Sequence, residues 1–377
     1  MTTTINNKHK KLNVPNLRFP EFQGEWIGKT IGDIAPLQRG FDLPTGQICN
    51  GKIPVVYSNG IMNHHSSYKC VAPGLVTGRS GTIGKFTYIE DGYYWPHNTS
   101  LWVTDFHDNN PKFIYYLYQT IHIGQYSTGS GVPTLNRNNV HRHKTFIPKL
   151  KEQNKIAAFL SLLDERIVTQ NKIIDKLQSL IKGISNKLLN SKEGMLVRLG
   201  AILKERSEKT KKNNQYAVLS STVNGLFSQR DYFSKDIASE NNVGYKIIRL
   251  HDVVLSPQNL WMGNINYNDK FDIGIVSPSY KVFLISDDYD KRYVAAMLKT
   301  HRALYDYQLI SEQGASVVRR NLNLESFGQL VFRIPPLDKQ REIGKTISLL
   351  KSRLETECML KATYQSQKQY LLRQMFI

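Results

Sequence analysis

A long stripe of apolar residues runs through the middle of the chain, with alternating spacings of four and three residues. Its members, of which only Gln170 is polar, are Ile156, Leu160, Leu163, Ile167, Gln170, Ile174, Leu177, Ile181, Ile184 and Leu188. This spacing is typical of a coiled coil, and Ile147-Pro148 before it predicts an extended segment that ends the preceding domain. A single helix packed on a globular core is an alternative. A stripe this narrow and long favours a helical partner, with antiparallel pairing inside the chain.

A second stripe near the end of the chain supplies that partner. It begins with Ile343, Ile347, Leu350 and Leu354 and is interrupted where Glu357 and Lys361 take the next expected positions. The register must shift there, and the stripe can resume at Tyr364, Leu371, Met375 and Phe376. We therefore predict a distal helix that is locally irregular or presents part of its surface to another protein. A helix of about 40 residues is about 60 Å long and can work as a spacer.

The chain contains a repeat. The segment Ile147-Pro148-Lys149-Leu150-Lys151-Glu152-Gln153 recurs 187 residues later as Ile334-Pro335-Pro336-Leu337-Asp338-Lys339-Gln340, because 334 − 147 = 187. Upstream, Ile31-Gly32-Asp33-Ile34 resembles Leu199-Gly200-Ala201-Ile202, and each opens a β-rich stretch of about 130 residues. Similar ends with dissimilar interiors favour a fixed scaffold that carries two variable readers. A duplication followed by neutral drift is the alternative.

These patterns predict five segments. They are a disordered lead-in (1–16), a first β-rich domain (17–146), a central helical spacer (147–192), a second β-rich domain (193–333) and a distal helical spacer (334–377). The polar start of the chain is unlike a secretory signal, and no apolar run approaches the roughly 18 residues of a membrane span. We therefore expect a cytoplasmic protein. Its three cysteines have spacings unlike a zinc site or a disulfide framework.

The charge balance points to an anionic partner. Fifty Lys and Arg residues against 31 Asp and Glu residues give a formal net charge of +19. Nucleic acid and a membrane surface are the main options, and the sequence offers no basic amphipathic helix suited to a membrane. Charge that serves solubility alone is the alternative. Two readers on a helical spacer would address separate major-groove sites, so we expect a split DNA target whose two parts differ.

A search for catalytic motifs finds none. The stretch from Gly78 to Phe86 fails as a phosphate-binding loop, because five residues instead of four separate Gly78 from Gly84 and Phe86 replaces the magnesium-binding hydroxyl. It is either a hairpin that brings Arg79 or Lys85 near a phosphate or an ordinary turn. Asn110-Pro111 is interpreted as a helix start, and the tyrosines that follow as core. We predict no catalytic residues and no metal site. No carboxylate stands at a convincing metal-ligand spacing from the five histidines that could suggest one, which are His64, His65, His97, His141 and His143.

Polar side chains near glycine-rich turns are the candidates for DNA readout. Arg, Lys, Asn and Gln recognise base edges and phosphates when rigid elements project them into a groove. In the first domain the candidates are Arg79, Lys85, Asn136, Arg137, Asn138 and Arg142. In the second domain they are Gln258, Asn259 and Trp261, in the place of the Arg79 hairpin, with Arg319 and Arg320 matched to the Arg137 region. Each alone is more often a surface residue. The Lys209–Lys212 run is interpreted as a solvated loop.

Taken together, the chain resembles a specificity subunit of a type I restriction-modification system. The paired Ile-Pro-x-Leu-x-x-Gln motifs, the long helices after them, and the opening Leu17-Arg18-Phe19-Pro20-Glu21-Phe22 with Trp26 carry the resemblance. The stretches Gly78 to Lys85 and Gly129 to Arg137 also resemble parts of the family's target-recognition domains. The likeness covers nearly the whole chain. The seam after Leu354 departs from a clean pattern and leaves helix pairing there open.

The resemblance implies an α+β fold with two target-recognition domains in a pseudo-twofold arrangement, separated by two long helices that form an antiparallel coiled coil. Each domain would read one half of a bipartite asymmetric site in double-stranded DNA. Two modification subunits would dock on the helices, bind S-adenosylmethionine and methylate adenine. Restriction subunits would add ATP-driven, magnesium-dependent translocation and cleavage. This chain would bind no cofactor and would catalyse nothing by itself.

Three alternatives remain at the level of the sequence. The first is the specificity subunit of a related system that cleaves on both sides of its site, which genomic neighbours would distinguish. The second is a free-standing DNA-binding regulator that dimerises through its helices and binds its site tightly alone. The third is an enzyme with an unfamiliar centre, which the missing motifs disfavour.

Overall fold

The structure, a computed structural model, describes residues 12–129, 131–189, 193–232, 241–313 and 320–377. The chain divides into two compact units. The first comprises Met1–Asn171 and Met359–Ile377, and the second comprises Lys172–Cys358. Of the predicted lead-in, residues 1–11 lie outside the described part of the chain. Among the described residues, no helix is both long enough and apolar enough to cross a membrane.

Short strands and short helices build the first unit. Its strands are β1 (Ile27–Thr30), β2 (Leu37–Arg39), β3 (Ile53–Tyr57), β4 (Gly60–His65), β5 (Cys70–Val71), β6 (Gly74–Gly78), β7 (Phe86–Ile89), β8 (Tyr93–Pro96), β9 (Ser100–Val103), β10 (Ser127–Thr128), β11 (Thr134–Leu135) and β12 (Lys144–Ile147). Its short helices are α1 (Ile31–Ile34), α2 (Pro111–Thr120) and α3 (Arg137–His141), and the long α4 (Leu150–Leu189) follows them.

The second unit repeats this plan. Its strands are β13 (Met195–Arg198), β14 (Leu203–Arg206), β15 (Leu219–Thr222), β16 (Gly225–Ser228), β17 (Lys246–Arg249), β18 (Val253–Leu255), β19 (Ile265–Tyr267), β20 (Ile273–Val276), β21 (Lys281–Ile285), β22 (Ser311–Gln313), β23 (Arg320–Leu322) and β24 (Val331–Ile334). Its helices are α5 (Leu199–Ile202), α6 (Gln229–Tyr232), α7 (Lys291–Met297), α8 (His301–Leu309), α9 (Leu324–Gln329) and the long α10 (Leu337–Met375).

Strand pairing shows which parts of the two units correspond. Each unit joins its first strand to its last, β1 to β12 and β13 to β24, both antiparallel. Each also contains a sheet of the same order, β2-β9-β6-β7 in the first unit and β14-β21-β18-β19 in the second. The remaining strands differ, because β4-β3-β8-β5 form one sheet whereas β15-β16 and β17-β20 are separate pairs. The α+β fold class is confirmed.

Within the first unit, the start of α4 and the end of α10 pack as an antiparallel pair. At one end of this contact Trp26 touches both sides. Its indole nitrogen donates to Glu152 Oε1 on α4 (3.2 Å), and its ring lies 6.4 Å from that of Phe376, which directly follows α10. Further along both helices, Lys368 Nζ donates to Asp164 Oδ1 (2.6 Å). From Glu152 to Asp164 on α4, the contacts therefore run from Phe376 back to Lys368. The two helices are antiparallel in this unit, as predicted.

The irregular part of the second stripe has a physical explanation. Helix α10 continues through it without a break. Glu357 is buried, and its carboxylate forms an ion pair with Arg353 one turn earlier. Downstream, Leu371, Met375 and Phe376 are buried in the core of the first unit, and Tyr364 packs against it. The predicted resumption of the stripe is confirmed, and pairing of the buried carboxylate accommodates the interruption without distorting the helix.

A buried glutamine fastens each long helix to the domain before it. Gln153 Nε2 donates to Pro148 O (3.0 Å), while its Oε1 accepts from the backbone nitrogen of Asn110 (3.0 Å), the N-cap of α2. Gln340 repeats both contacts, with Pro335 O at 2.9 Å and the nitrogen of Asp290, the N-cap of α7, at 3.0 Å. The last residue of the repeated motif thus performs the same task in both units.

Replacement of Gln153 by Met should destabilise the first unit. The thioether fills a similar volume but leaves Pro148 O and the Asn110 nitrogen without their buried partner, which costs about 2–4 kcal/mol of unfolding free energy. Urea denaturation would measure the loss, and amide hydrogen exchange would locate it in the first unit. Lys151→Met, an exposed change on the same helical turn, is the control. Equal midpoints for the two variants would contradict the proposed role.

Candidate nucleic-acid interface

A tight loop between β6 and β7, residues 79–85, forms the centre of the candidate surface in the first unit; we call it the first loop. Its base needs glycine, because a Cβ on Gly78 would lie 1.6 Å from Thr82 O. Gly81 has φ +79°, a left-handed conformation that glycine adopts without strain. The stretch that fails as a phosphate-binding loop is therefore a connection between antiparallel strands.

Backbone hydrogen bonds fasten the first loop to the segment before α3. Leu135 N donates to Arg79 O (2.7 Å), and Gly81 N donates to Pro133 O (3.1 Å). Arg79 is half-buried, and its guanidinium forms no hydrogen bond or ion pair with the described residues. Lys85 is exposed, and its ammonium donates to Asn59 O in the turn before β4. Arg79 is thus the more available cation of the two.

The beginning of α3 lies beside this loop and carries the other candidates of the first unit. Asn136 is the N-cap of α3, since its side-chain oxygen accepts from Asn138 N (3.0 Å). Its amide NH₂ remains available for DNA. Arg137 and Asn138 are exposed in the first turn, and Arg142 at the other end is exposed with a 3.3 Å hydrogen bond to Asn139 Oδ1.

The second unit has an equivalent loop between β18 and β19, residues 256–264, which we call the second loop. Arg320 N donates to Gln258 O (3.1 Å), as Leu135 N does to Arg79 O in the first unit. The Arg320 guanidinium lies 5.2 Å from the centre of the Trp261 ring, within cation–π range, and also donates to Gln308 O (3.3 Å). Three predicted residues therefore meet here. Asn259 is half-buried, and its carbonyl accepts from Met262 N (3.1 Å).

Arg320 lies in the hairpin that corresponds to the one before Arg137, but it is not the residue equivalent to Arg137. Arg320 begins β23, whose pairing with β22 corresponds to that of β11 with β10. Asn323 is the true counterpart of Asn136, because it caps α9 by accepting from Ser326 N (3.0 Å). The repeat offset of 187, applied to Asn136, would have identified it. Arg319 lies outside the described residues.

Several other polar residues have structural roles. His141 Nε2 accepts from Leu37 N (2.8 Å), and burial lowers the pKa of its imidazole. His143 Nδ1 lies 2.7 Å from the Tyr126 hydroxyl. Within the part of the chain that the structure describes, no group of three His, Cys, Asp or Glu side chains is placed to hold a metal. In the Lys209–Lys212 run the lysines are exposed, whereas Thr210 is buried against Asn242 O.

Two α+β modules with corresponding loops are thus attached in the same way to two long helices. Comparison with known proteins relates this arrangement to a family. Residues 23–179 match the family model described as the type I restriction modification DNA specificity domain. This match covers most of the first β-rich domain and the beginning of α4, and it supports the resemblance seen in the sequence motifs.

Solved structures share the fold over the whole chain. One is the S subunit of a type I restriction-modification system from M. genitalium, with TM-score 0.67, 16% identity, and coverage of 97% of this chain and 99% of that one. Another comes from work on complex assembly and conformational transition of the type I R-M system, with TM-score 0.50, 13% identity and coverage of 92% and 96%. A search of curated proteins found no match.

The substitution Asn136→Asp separates the helix-capping role of Asn136 from its predicted contact with DNA. Aspartate caps a helix as well as asparagine does, so the urea midpoint should stay within about 0.5 kcal/mol of the parent. The substitution replaces a donor by a negative charge, so affinity for DNA should fall at least tenfold if the Asn136 amide faces the duplex. Fluorescence anisotropy with labelled duplex would measure it. Asn323→Asp is the matched change in the second unit. Unchanged affinity would remove Asn136 from the interface.

Proposed function

We propose that each unit reads one half of a bipartite, asymmetric DNA site. The observation that carries this proposal is the equivalence of the two loops. Both connect corresponding strands and both are fastened through backbone atoms, yet they carry different side chains, the half-buried Arg79 in one and the exposed Gln258 with the half-buried Trp261 in the other. The same support with different reading groups suits recognition of two different half-sites.

The two long helices are the proposed docking surface for two modification subunits. Apolar side chains remain exposed along both of them, which is unusual for helices that only solvent would cover. They are Phe159, Leu162, Val168, Ile173 and Leu180 on α4, and Leu349, Met359, Leu360 and Tyr370 on α10. Such positions favour helix packing against further subunits.

In this proposal the partner subunits carry the chemistry. Modification subunits would bind S-adenosylmethionine and methylate adenine, and restriction subunits would use ATP and magnesium to translocate and cleave DNA. This chain would select the site without catalysing a reaction. Two features of the described residues support that role: the loop side chains Arg79, Gln258 and Trp261, and the exposed apolar side chains of the long helices.

A domain exchange tests the proposed function. The chain would be co-expressed with its neighbouring modification subunit, and N6-methyladenine would be mapped across the host genome. Exchange of residues 17–146 with those of a relative should change one half of a split methylated motif, and exchange of residues 193–333 should change only the other half. Each exchange is the control for the other.

Two results would contradict the proposal. A change in both half-sites after one exchange would show that the units do not read independently. Methylation that persists after deletion of this gene, with an active modification subunit present, would favour a free-standing DNA-binding regulator instead.

A further inference from the structure

The two units differ at one corresponding place where a short helix packs on a long one. The N-caps Asn110 and Asp290 contact Gln153 and Gln340 in the same way, so α2 and α7 align with an offset of 180 while α4 and α10 keep the offset of 187. In this alignment the first unit's residues are replaced in the second as follows: Tyr115 by Ala295, Tyr116 by Ala296, Gln119 by Lys299 and Asp164 by Lys351.

In the first unit this place is filled and its charges are paired. The Tyr116 hydroxyl donates to Asp164 Oδ2 (2.8 Å), and Lys368 Nζ donates to the other oxygen of the same carboxylate (2.6 Å). The Lys368 ammonium also lies 5.8 Å from the ring centre of Tyr115 and 5.4 Å from that of Tyr116. Two phenol rings and one ion pair therefore occupy the space between α2, α4 and α10 at this place.

In the second unit the same place is open. Alanines replace both phenol rings, and a cavity of about 460 Å³ lies between α7, α10 and one end of the β18-β19 pair. Four cations and two carboxylates line it. They are Lys270, Arg292, Lys299, Lys351, Asp269 and Glu355. The replacement of Asp164 by Lys351 thus changes the sign of the charge at the wall that α10 contributes.

Two of the four cations, the half-buried Lys299 and the exposed Lys351, form no direct ion pair within the described residues, and Asp269 and Glu355 attract Lys351 only from a longer distance. Lys270 pairs with Glu355 (2.9 Å), and Arg292 lies 3.5 Å from Asp290. Lys299 Nζ donates to the neutral Asn266 Oδ1 (2.6 Å), and neither Lys299 nor Lys351 forms an ion pair within the described residues. Burial, with repulsion by Lys351 as a smaller cause, lowers the pKa of Lys299 to about 8. A bound anion would relieve this repulsion.

Polar side chains complete the wall. The Tyr267 hydroxyl and His251 Nδ1 are 2.6 Å apart, and their rings are stacked. His251 has φ +73°, a strained conformation for a residue with a side chain, and the backbone at this position directs its ring to the cavity wall. Ser348 and Ser352 on α10 add two hydroxyls. Cations together with hydroxyl donors are the groups that bind phosphoryl oxygens.

We propose that this cavity binds the phosphoryl group of a small phosphorylated molecule, with Lys299 and Lys351 as its main charged contacts. The volume exceeds that of a phosphate ion and leaves room for an attached organic group. The cavity is also distinct from the candidate DNA surface. His251 precedes β18 and Tyr267 ends β19, whereas the second loop joins the opposite ends of these strands.

Calorimetric titration of the full chain with inorganic pyrophosphate tests the proposal. Saturable binding at one site is expected, and Lys351→Gln should weaken it about tenfold because it removes one charge-assisted contact. Lys345→Gln, which removes an exposed charge from α10 outside the cavity, should leave affinity unchanged. Ala295→Tyr, which restores the ring found in the first unit, should abolish binding. Absence of saturable binding, or equal loss in both lysine variants, would overturn the proposal.

Competition with duplex DNA distinguishes a free small molecule from the DNA backbone as the source of the phosphoryl group. If a random-sequence duplex leaves pyrophosphate binding unaltered, the ligand is a free small molecule, as we propose. If the duplex displaces pyrophosphate from the parent and has no such effect in Ala295→Tyr, the cavity holds a backbone phosphate of DNA, and the small-molecule assignment is wrong.

Binding of sulfate should weaken between pH 7 and pH 9. Sulfate keeps its charge over this range, whereas Lys299 loses its proton as the pH rises through about 8. Desolvation also lowers the pKa of Lys351, which acts in the same direction. Among the facing groups, Tyr267 has a pKa raised to about 12 by burial and stays neutral. The other charged or titratable side chains that line the cavity are His251, Asp269, Lys270, Arg292 and Glu355. Affinity that is constant or rises with pH would exclude Lys299 as a contact.

Discussion

The buried side-chain amides of Gln153 and Gln340 are the contacts on which both units depend. Each is almost inaccessible to solvent, so its donor and acceptor must be satisfied by protein atoms. Each bridges a proline carbonyl at the end of the domain and the backbone nitrogen that caps a short helix. These hydrogen bonds couple the position of the short helix to that of the long helix. Together with the apolar core, they attach each domain to its helix in the same way.

This fixed attachment explains how the reading loops can differ while the support stays the same. The first loop is held by Leu135 N and Arg79 O, and the second by Arg320 N and Gln258 O. These are backbone atoms, which every residue supplies whatever its side chain. Substitution of loop side chains therefore leaves these backbone contacts available, which agrees with the proposed recognition of two different half-sites.

The parts of the fold that a repeating pattern governs were predictable from sequence. The spacing of apolar residues predicted both long helices and the return of the seam at Leu371, and Asn110-Pro111 predicted the start of α2. Side-chain contacts between distant segments were not predictable in this way. The stacking of Arg320 on Trp261 depends on how two loops meet, which no local spacing encodes. The roles of the candidate DNA contacts remain predictions.

The cavity in the second unit shows why such features escape sequence patterns. Ala295 and Ala296 are ordinary helical residues, and they become informative only when the aligned tyrosines of the first unit are considered. The same comparison shows that divergence is not confined to the loops. Glu152 in the first unit binds Arg18 through both carboxylate oxygens (2.8 Å each), whereas its counterpart is Lys339, which is exposed and pairs with Glu342 (3.1 Å).

The difference between Glu152 and its counterpart Lys339 concerns the opening segment of the chain. A buried carboxylate is costly unless it is fully paired, and here Arg18 and Trp26 supply its donors. Arg18 of the Leu17–Phe22 motif and Trp26 therefore stabilise the buried Glu152, whereas the exposed Lys339 needs no such donors. Part of the motif that carries the family resemblance is, in physical terms, the partner of one buried charge at the start of α4.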